Sequence, residues 1–297
     1  MKRTDDAKMR ITDSARPIDA ETSYSYTLVT PDGVCSDTAG QVQTENSVRV
    51  FVNGEPTMTL MCSADHVIEL VVGRMFTEGM ISGTEEIEEI SVCEYATRVL
   101  VYLHDRDADL SKSHVEEVSS CCTFNKTLNS HFFRDEELKP VTPRSWSPQR
   151  IFELACAFES DTPVHKRTFG AHSCYLANEH EILYCYEDLG RHNAFDKVIG
   201  SALIDGVDLS GCIVFTSGRI PTDMAVKAVR AGAPIIVSKA VPTDLTIEMA
   251  RKYDLTLICS AHHDSMKVFN DPYGALNEHR EAQQAKVYLT QPARVHA

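Results

Sequence analysis

The apolar positions of this chain change their period about halfway along. In the first half they fall in short runs rich in Val, Ile, Tyr and Thr, at 24–29, 48–52, 57–62, 89–92 and 99–103. Partial alternation with polar residues predicts half-buried β-strands there. Asn53-Gly54 stands between two of the runs. That pair supplies the two positive-φ residues of a type I′ hairpin turn. One stretch breaks the pattern: from 66 to 78, Val67, Leu70, Val71, Met75 and Phe76 recur at helical spacing. Ser63-Ala64-Asp65 ahead of it offers a helix cap, and Gly79 behind it suits the left-handed position that ends a helix.

Prolines at 140, 143 and 148 punctuate the segment ELKPVTPRSWSP and place a domain boundary within 130–147. Ser147 then caps a helix over 148–158, with proline at its first position. Beyond it the pattern alternates. A strand pair over 171–177 and 181–187 is joined by Asn178-Glu179-His180. Helices over 193–204, 221–230 and 243–252 are interleaved with strands at 212–216, 235–238 and 255–259. The β-α-β-α-β run from 212 to 259 demands crossover connections and so a parallel sheet segment. With the antiparallel pair beside it, the expected fold class is α/β (α+β overall), a mixed sheet with helices on both faces. A smaller β-rich N-terminal domain accompanies it. The expected division is a disordered lead-in at 1–20, the β-rich domain at 21–130, the α/β domain at 148–270 and a tail at 271–297.

Acidic residues outnumber basic ones by 14, which disfavours general nucleic-acid binding. Between 217 and 252 the balance reverses, with six Lys/Arg against three acids. No apolar run reaches the ~20 residues of a membrane helix. The N-terminal residues MKRTDDAKMRITDSARP lack the apolar stretch of a secretory signal. Ten cysteines are scattered without a disulfide framework, and together these features lead us to expect a reducing cytoplasm. Most of the cysteines read as small buried apolar residues.

Three places carry candidate chemistry. Ser217-Gly218-Arg219 joins a strand to a helix, at the strand's carboxyl end, where ligands of such sheets bind. It reads as an anion site or as a tight turn with a surface arginine. Arg191 and His192 precede another helix and either contact the same anion or merely cap and pack. Cys121 and Cys122 lie in SSCCTFNK (119–126) between the two halves. A nearby Lys126 would raise the thiolate fraction of a reactive cysteine there, while incidental thiols are the plainer reading. His262-His263 follows the last strand, but neighbours along a strand point apart, which argues against a shared metal.

Long stretches then resemble one family in order and spacing: NGEPTMTLMCSADHVIELVVGRMFTEGMI (53–81), FGAHSCYLA (169–177), EDLGRHNAFDKVIG (187–200), TSGRIPTDMAVKAVRAGAPII (216–236) and AVPTDLTIEMARKYDLTLI (240–258). They resemble the FdhD family of formate dehydrogenase accessory sulfurtransferases. The resemblance implies a cytidine-deaminase-like fold, although the HxE…PCxxC zinc ligands are not in the sequence. It implies a sulfur carrier that moves persulfide sulfur from a cysteine desulfurase to the molybdopterin guanine dinucleotide cofactor of formate dehydrogenase. A GDP- or GMP-like nucleotide could occupy the same site, and a homodimer is expected. No nucleic acid, membrane or metal enters the scheme.

On the same resemblance Cys121 carries the persulfide and Cys122 is a possible auxiliary thiol. Ser260, Ala261, His262, His263, Asp264, Ser265, Arg191, His192, Ser217, Gly218 and Arg219 are the cofactor contacts. The chain departs from the family twice. The family loop reads SSCGVCG, whereas here Phe124 stands at the second cysteine. The family's GFxR-like segment is replaced by CSAHHDS (259–265), exchanging a permanently charged arginine for titratable histidines. The missing cysteine motivates an alternative, a cofactor-binding chaperone that transfers no sulfur.

Overall fold

The computed structural model describes residues 9–108, 116–118, 138–160 and 162–277. The strands of the N-terminal half are β1 (Arg10–Asp13), β2 (Glu21–Thr30), β3 (Gly33–Gln43), β4 (Asn46–Val52), β5 (Glu55–Cys62), β6 (Ile87–Val92), β7 (Arg98–Leu103) and β8 (Glu116–Val118). All but β2 and β3 form one mixed sheet in the order β1-β6-β7-β4-β5-β8. Its inner face is written in the alternation: Val48, Val50 and Val52 are fully buried while Arg49 between them is exposed. Asn53 and Gly54 take φ values of 53° and 92°, as the hairpin turn requires. β2 and β3 pair only with each other, as an exposed ribbon.

Helix α1 (Val67–Thr77) covers the inner face of this sheet. Its cap differs from expectation. The N-cap is His66, in the left-handed region at φ 52°, and no side chain caps the helix. Asp65 is engaged elsewhere, 3.1 Å from Lys197 Nζ. Gly79, at φ 74°, follows the helix in the expected left-handed conformation.

The C-terminal half contains α2 (Pro148–Ser160), α3 (Pro163–Thr168), β9 (His172–Ala177), β10 (Ile182–Asp188), α4 (Arg191–Asp205), β11 (Ile213–Thr216), α5 (Thr222–Arg230), β12 (Ile235–Ser238), α6 (Asp244–Lys252), β13 (Thr256–Cys259) and β14 (Lys267–Asn270). The strand order is β10-β9-β11-β12-β13-β14. β11, β12 and β13 run parallel, and β10, β9 and β14 flank them antiparallel. Period-2 alternation sends Val214, Ile236 and Leu257 towards α4, α5 and α6. Ile213, Phe215, Ile235, Val237 and Ile258 face α2 on the other side. The mixed sheet with helices on both faces is therefore observed. Among the described residues no helix is long and apolar enough to cross a membrane.

α1 and α4 cross in backbone contact and pin the two sheets together. A Cβ on Gly73 would lie 1.9 Å from the Asp196 carbonyl oxygen, and one on Gly200 1.9 Å from that of Glu69. Charge is buried beside the crossing. Lys227 Nζ lies 2.7 Å from Asp196 Oδ2 and 3.2 Å from Glu78 Oε1. Arg74 Nη1 reaches the same Asp196 oxygen at 3.3 Å, and Thr77 donates to Asp196 Oδ1 at 2.7 Å. Buried ions require this degree of pairing, because each costs several kcal/mol to desolvate, on the order of the attraction it gains.

Candidate functional site

The turns after β11, β12 and β13 are stitched into one ledge at the carboxyl edge of the sheet. Lys239 N–H donates to the Thr216 carbonyl, Ala261 N–H to that of Ser238, and Ser260 N–H to that of Ala240. Ser238 Oγ donates to the Gly218 carbonyl at 2.6 Å. Ser217, Ser260 and His262 are thereby brought to one surface although they are far apart in sequence, whereas the predicted contacts Gly218 and Ala261 are buried beneath it. Ser260 holds a left-handed conformation at φ 49°. This bends the chain after β13, so His262 and His263 do not diverge as strand neighbours would. Both approach one carboxylate, Glu159, at 3.6 and 3.3 Å. Asp264 and Ser265 are exposed at the turn, and Ser265 Oγ donates to Asp264 Oδ1.

At the β9 end of the ledge stands His172, which the sequence reading did not single out. Because β9 runs antiparallel to β11, its first residue meets the last turn of β11. His172 Nδ1 lies 3.1 Å from Ser217 Oγ, and that oxygen also accepts the Ser173 N–H at 3.0 Å. Burial, then the Arg191 charge and the neighbouring His165 and His192, bring its pKa down to about 4. At neutral pH His172 is therefore an uncharged hydrogen-bonding group. Its position depends on a strand pairing between residues more than 40 apart, so no local motif marks it.

Arg191 and His192 do not form an open turn before a helix. They are the first residues of α4 and only 8% exposed each. The place an anion would take at this helix start is held by the chain's own Asp188. Its carboxylate accepts from Gly190 N–H, Ser63 N–H and Asn193 Nδ2, and pairs with buried Lys197 at 2.8 Å. Burial disfavours the Lys197 charge, but Asp188 and Asp65 more than offset it and hold the pKa above the usual lysine value.

Arg191 packs its aliphatic stem under Gly218, where an added Cβ would come within 2.6 Å of Arg191 Cδ. Gly218 is needed for this close approach. His192 Nε2 lies 3.0 Å from Asp223 Oδ2. Burial outweighs that carboxylate and keeps the His192 pKa below its ordinary value, so neutral His192 donates to ionised Asp223. Pro221 is the N-cap of α5 rather than its first helical residue. Arg219 points outward and is exposed.

The ledge thus offers exposed Arg219, part-exposed Lys239, His262, His263 and several polar turn atoms to an anionic ligand, above a floor of neutral, interlocked histidines. Its cysteine chemistry is the reverse. Cys62, Cys174, Cys212 and Cys259 are buried. Burial pushes the Cys212 thiol up to about 11 and the Cys259 thiol up to about 12, and raises Cys62 and Cys174 as well. These make poor nucleophiles. Cys121 and Cys122 lie outside the described residues.

The FdhD/NarQ family profile matches residues 43–275. A Listeria innocua protein named sulfur carrier protein FdhD is 31% identical over 242 residues, spanning 80% of this chain and 92% of its own length. Its Bacillus subtilis counterpart is 30% identical over 245 residues, spanning 81% and 92%. Among solved structures, one from Desulfotalea psychrophila, ascribed to a formate dehydrogenase accessory protein, superimposes with a TM-score of 0.69 at 25% identity. It covers 86% of this chain and 99% of its own.

Proposed function

Because the chain belongs to the FdhD/NarQ family, we propose that it is a sulfur carrier acting in the maturation of formate dehydrogenase. The observation that carries the proposal is the family match itself, whose bounds, 43–275, enclose position 121 and the whole ledge. Cys121, as thiolate, attacks the terminal sulfur of a desulfurase persulfide. The sulfur–sulfur bond of the donor breaks, the desulfurase thiolate leaves, and Cys121 becomes the persulfide. Cys122 is a neighbouring auxiliary thiol. The acceptor is the molybdopterin guanine dinucleotide cofactor, bound as cargo.

On this reading the cofactor's phosphates lie along the ledge, against Arg219 and Ser217 and against Ser260 and 262–265, with Gly218 and Ala261 buried beneath as support. Arg191, His192 and His172 act from beneath by fixing Gly218, Asp223 and Ser217. None of the four buried thiols is suited to nucleophilic attack at neutral pH, which leaves exposed Cys156 and part-exposed Cys93, whose thiol is held below its ordinary pKa, as described alternatives to Cys121. Homodimerisation belongs to the reading too, with the exposed Tyr24 and Tyr26 of the β2–β3 ribbon as a supporting apolar surface.

Mass spectrometry after incubation with a cysteine desulfurase and cysteine tests the proposal. The expected result is a one-sulfur adduct on Cys121 that is lost in Cys121→Ala. An adduct elsewhere, or none, overturns the assignment. If the Cys121→Ala/Cys122→Ala double variant still matures formate dehydrogenase, the protein is a cofactor-binding chaperone instead.

A further inference from the structure

Glu159 is the penultimate residue of α2, and its placement runs against its own helix. A helix C-terminus carries partial negative charge and favours cations, yet the last turn of α2 has no basic residue and ends with this carboxylate. The ledge accounts for it. Lys239 Nζ lies 3.3 Å away, His263 Nδ1 3.3 Å and His262 Nδ1 3.6 Å. Lys239 comes from the turn after β12, and the two histidines from the turn after β13. Burial raises the carboxyl pKa, but Lys239 and His263 together more than offset this and hold it below its ordinary value.

We propose that Glu159 is an internal competitor for the ligand's phosphates: its carboxylate holds Lys239, His262 and His263, and a phosphoanhydride displaces it from them. The inference rests on the cofactor-ledge reading above and adds a residue that sets affinity and ligand class. A single carboxylate makes about one charge's worth of contact, whereas a diphosphate brings more charge and more acceptor oxygens to the same lysine and imidazole donors. The exchange favours nucleoside diphosphates and leaves a ligand without phosphate unaffected. All four side chains are partly exposed, between 27% and 65%, so the pairing is loose enough to exchange.

Calorimetric titration of the full chain with GDP and with guanosine tests this. Glu159→Gln keeps the size of the side chain and removes its charge. It is expected to tighten GDP binding about three- to ten-fold, the range of one or two ordinary surface ion pairs, and to leave guanosine unchanged. Lys239→Gln is expected to weaken GDP. Unchanged or weaker GDP binding by Glu159→Gln, with the wild type binding GDP, overturns the competitor and leaves the ledge reading standing. No GDP binding by any variant overturns both. GDP binding by Glu159→Gln alone supports the competitor strongly. Equal tightening of guanosine also overturns the inference, because the effect would then not pass through phosphate.

Discussion

Two groups of charges in this molecule use the same residue types to opposite ends. At the α1–α4–α5 seam, Asp196 and Lys227 are fully buried and Arg74 nearly so. Each has several partners, and none can leave without stranding another. On the ledge, Lys239, His262 and His263 share one part-exposed carboxylate across 3.3–3.6 Å. Water can replace any of these contacts. Burial therefore decides the role of a charge. The seam sets the distance between the two sheets, and the ledge stays free to change partners.

The largest expected effect lies at the seam. Asp196→Ala leaves Arg74 and Lys227 buried with only Glu78 of the two carboxylates they share. It should destabilise the fold by about 3–5 kcal/mol, read from urea unfolding at pH 7. Loss below about 1 kcal/mol would mean that the seam tolerates exchange as the ledge does. Next comes Gly73→Ala. Its Cβ would stand 1.9 Å from a carbonyl oxygen, so α1 and α4 must separate, at a cost of roughly 1–3 kcal/mol or more by the same measurement.

His172, between the two regions, gives a pH effect. Its value in the folded protein is about 4, below the reference 6.5, so the unfolded chain takes up the proton first. Its contribution is fully present above pH 6.5 and is lost as pH falls from there towards 4. His172→Gln should flatten the fall of the unfolding midpoint over that window. His192, also shifted downward, leaves a residual slope of the same sign. The smallest effect belongs to the ledge: Lys239→Gln should change stability by no more than about 0.5 kcal/mol while weakening GDP binding. If it unfolds the protein instead, the ledge is structural and the contrast fails.

Much of this fold was legible because its core strands are either alternating or continuously apolar. The strand 235–238 and the turn at Asn53-Gly54 appear as read. β1, β3 and β14 were not legible. Arg-Ile-Thr-Asp at 10–13 is too short and polar to signal a strand, and GVCSDTAGQVQ at 33–43 carries the Gly, Ser and Asp of a loop. α3, only six residues long, gives no helical period.

At the site, the carboxyl-end rule pointed to the turn Ser217-Gly218-Arg219, because parallel connectivity fixes where that turn emerges, whereas 260–265 were expected there only from the family resemblance. The histidine beneath Ser217 and the carboxylate at the end of α2 come from elements whose position depends on tertiary packing. Asp65 read as a helix cap because a capping aspartate and a partner for a lysine 132 residues away look identical in sequence.

The glycine crossing also has a consequence for the order in which the protein is made. α1 leaves the ribosome with the N-terminal strands, but Arg74 finds Asp196 only 122 residues later, and Thr77 meets Lys227 only 150 residues later. Until then a guanidinium destined for burial must remain hydrated, and the groove at Gly73 stays open to water. The first sheet can assemble during synthesis, but its helix cannot be sealed. The last docking event is the arrival of α4 and α5 on a surface already waiting for them, so the C-terminal half completes the folding of the N-terminal one.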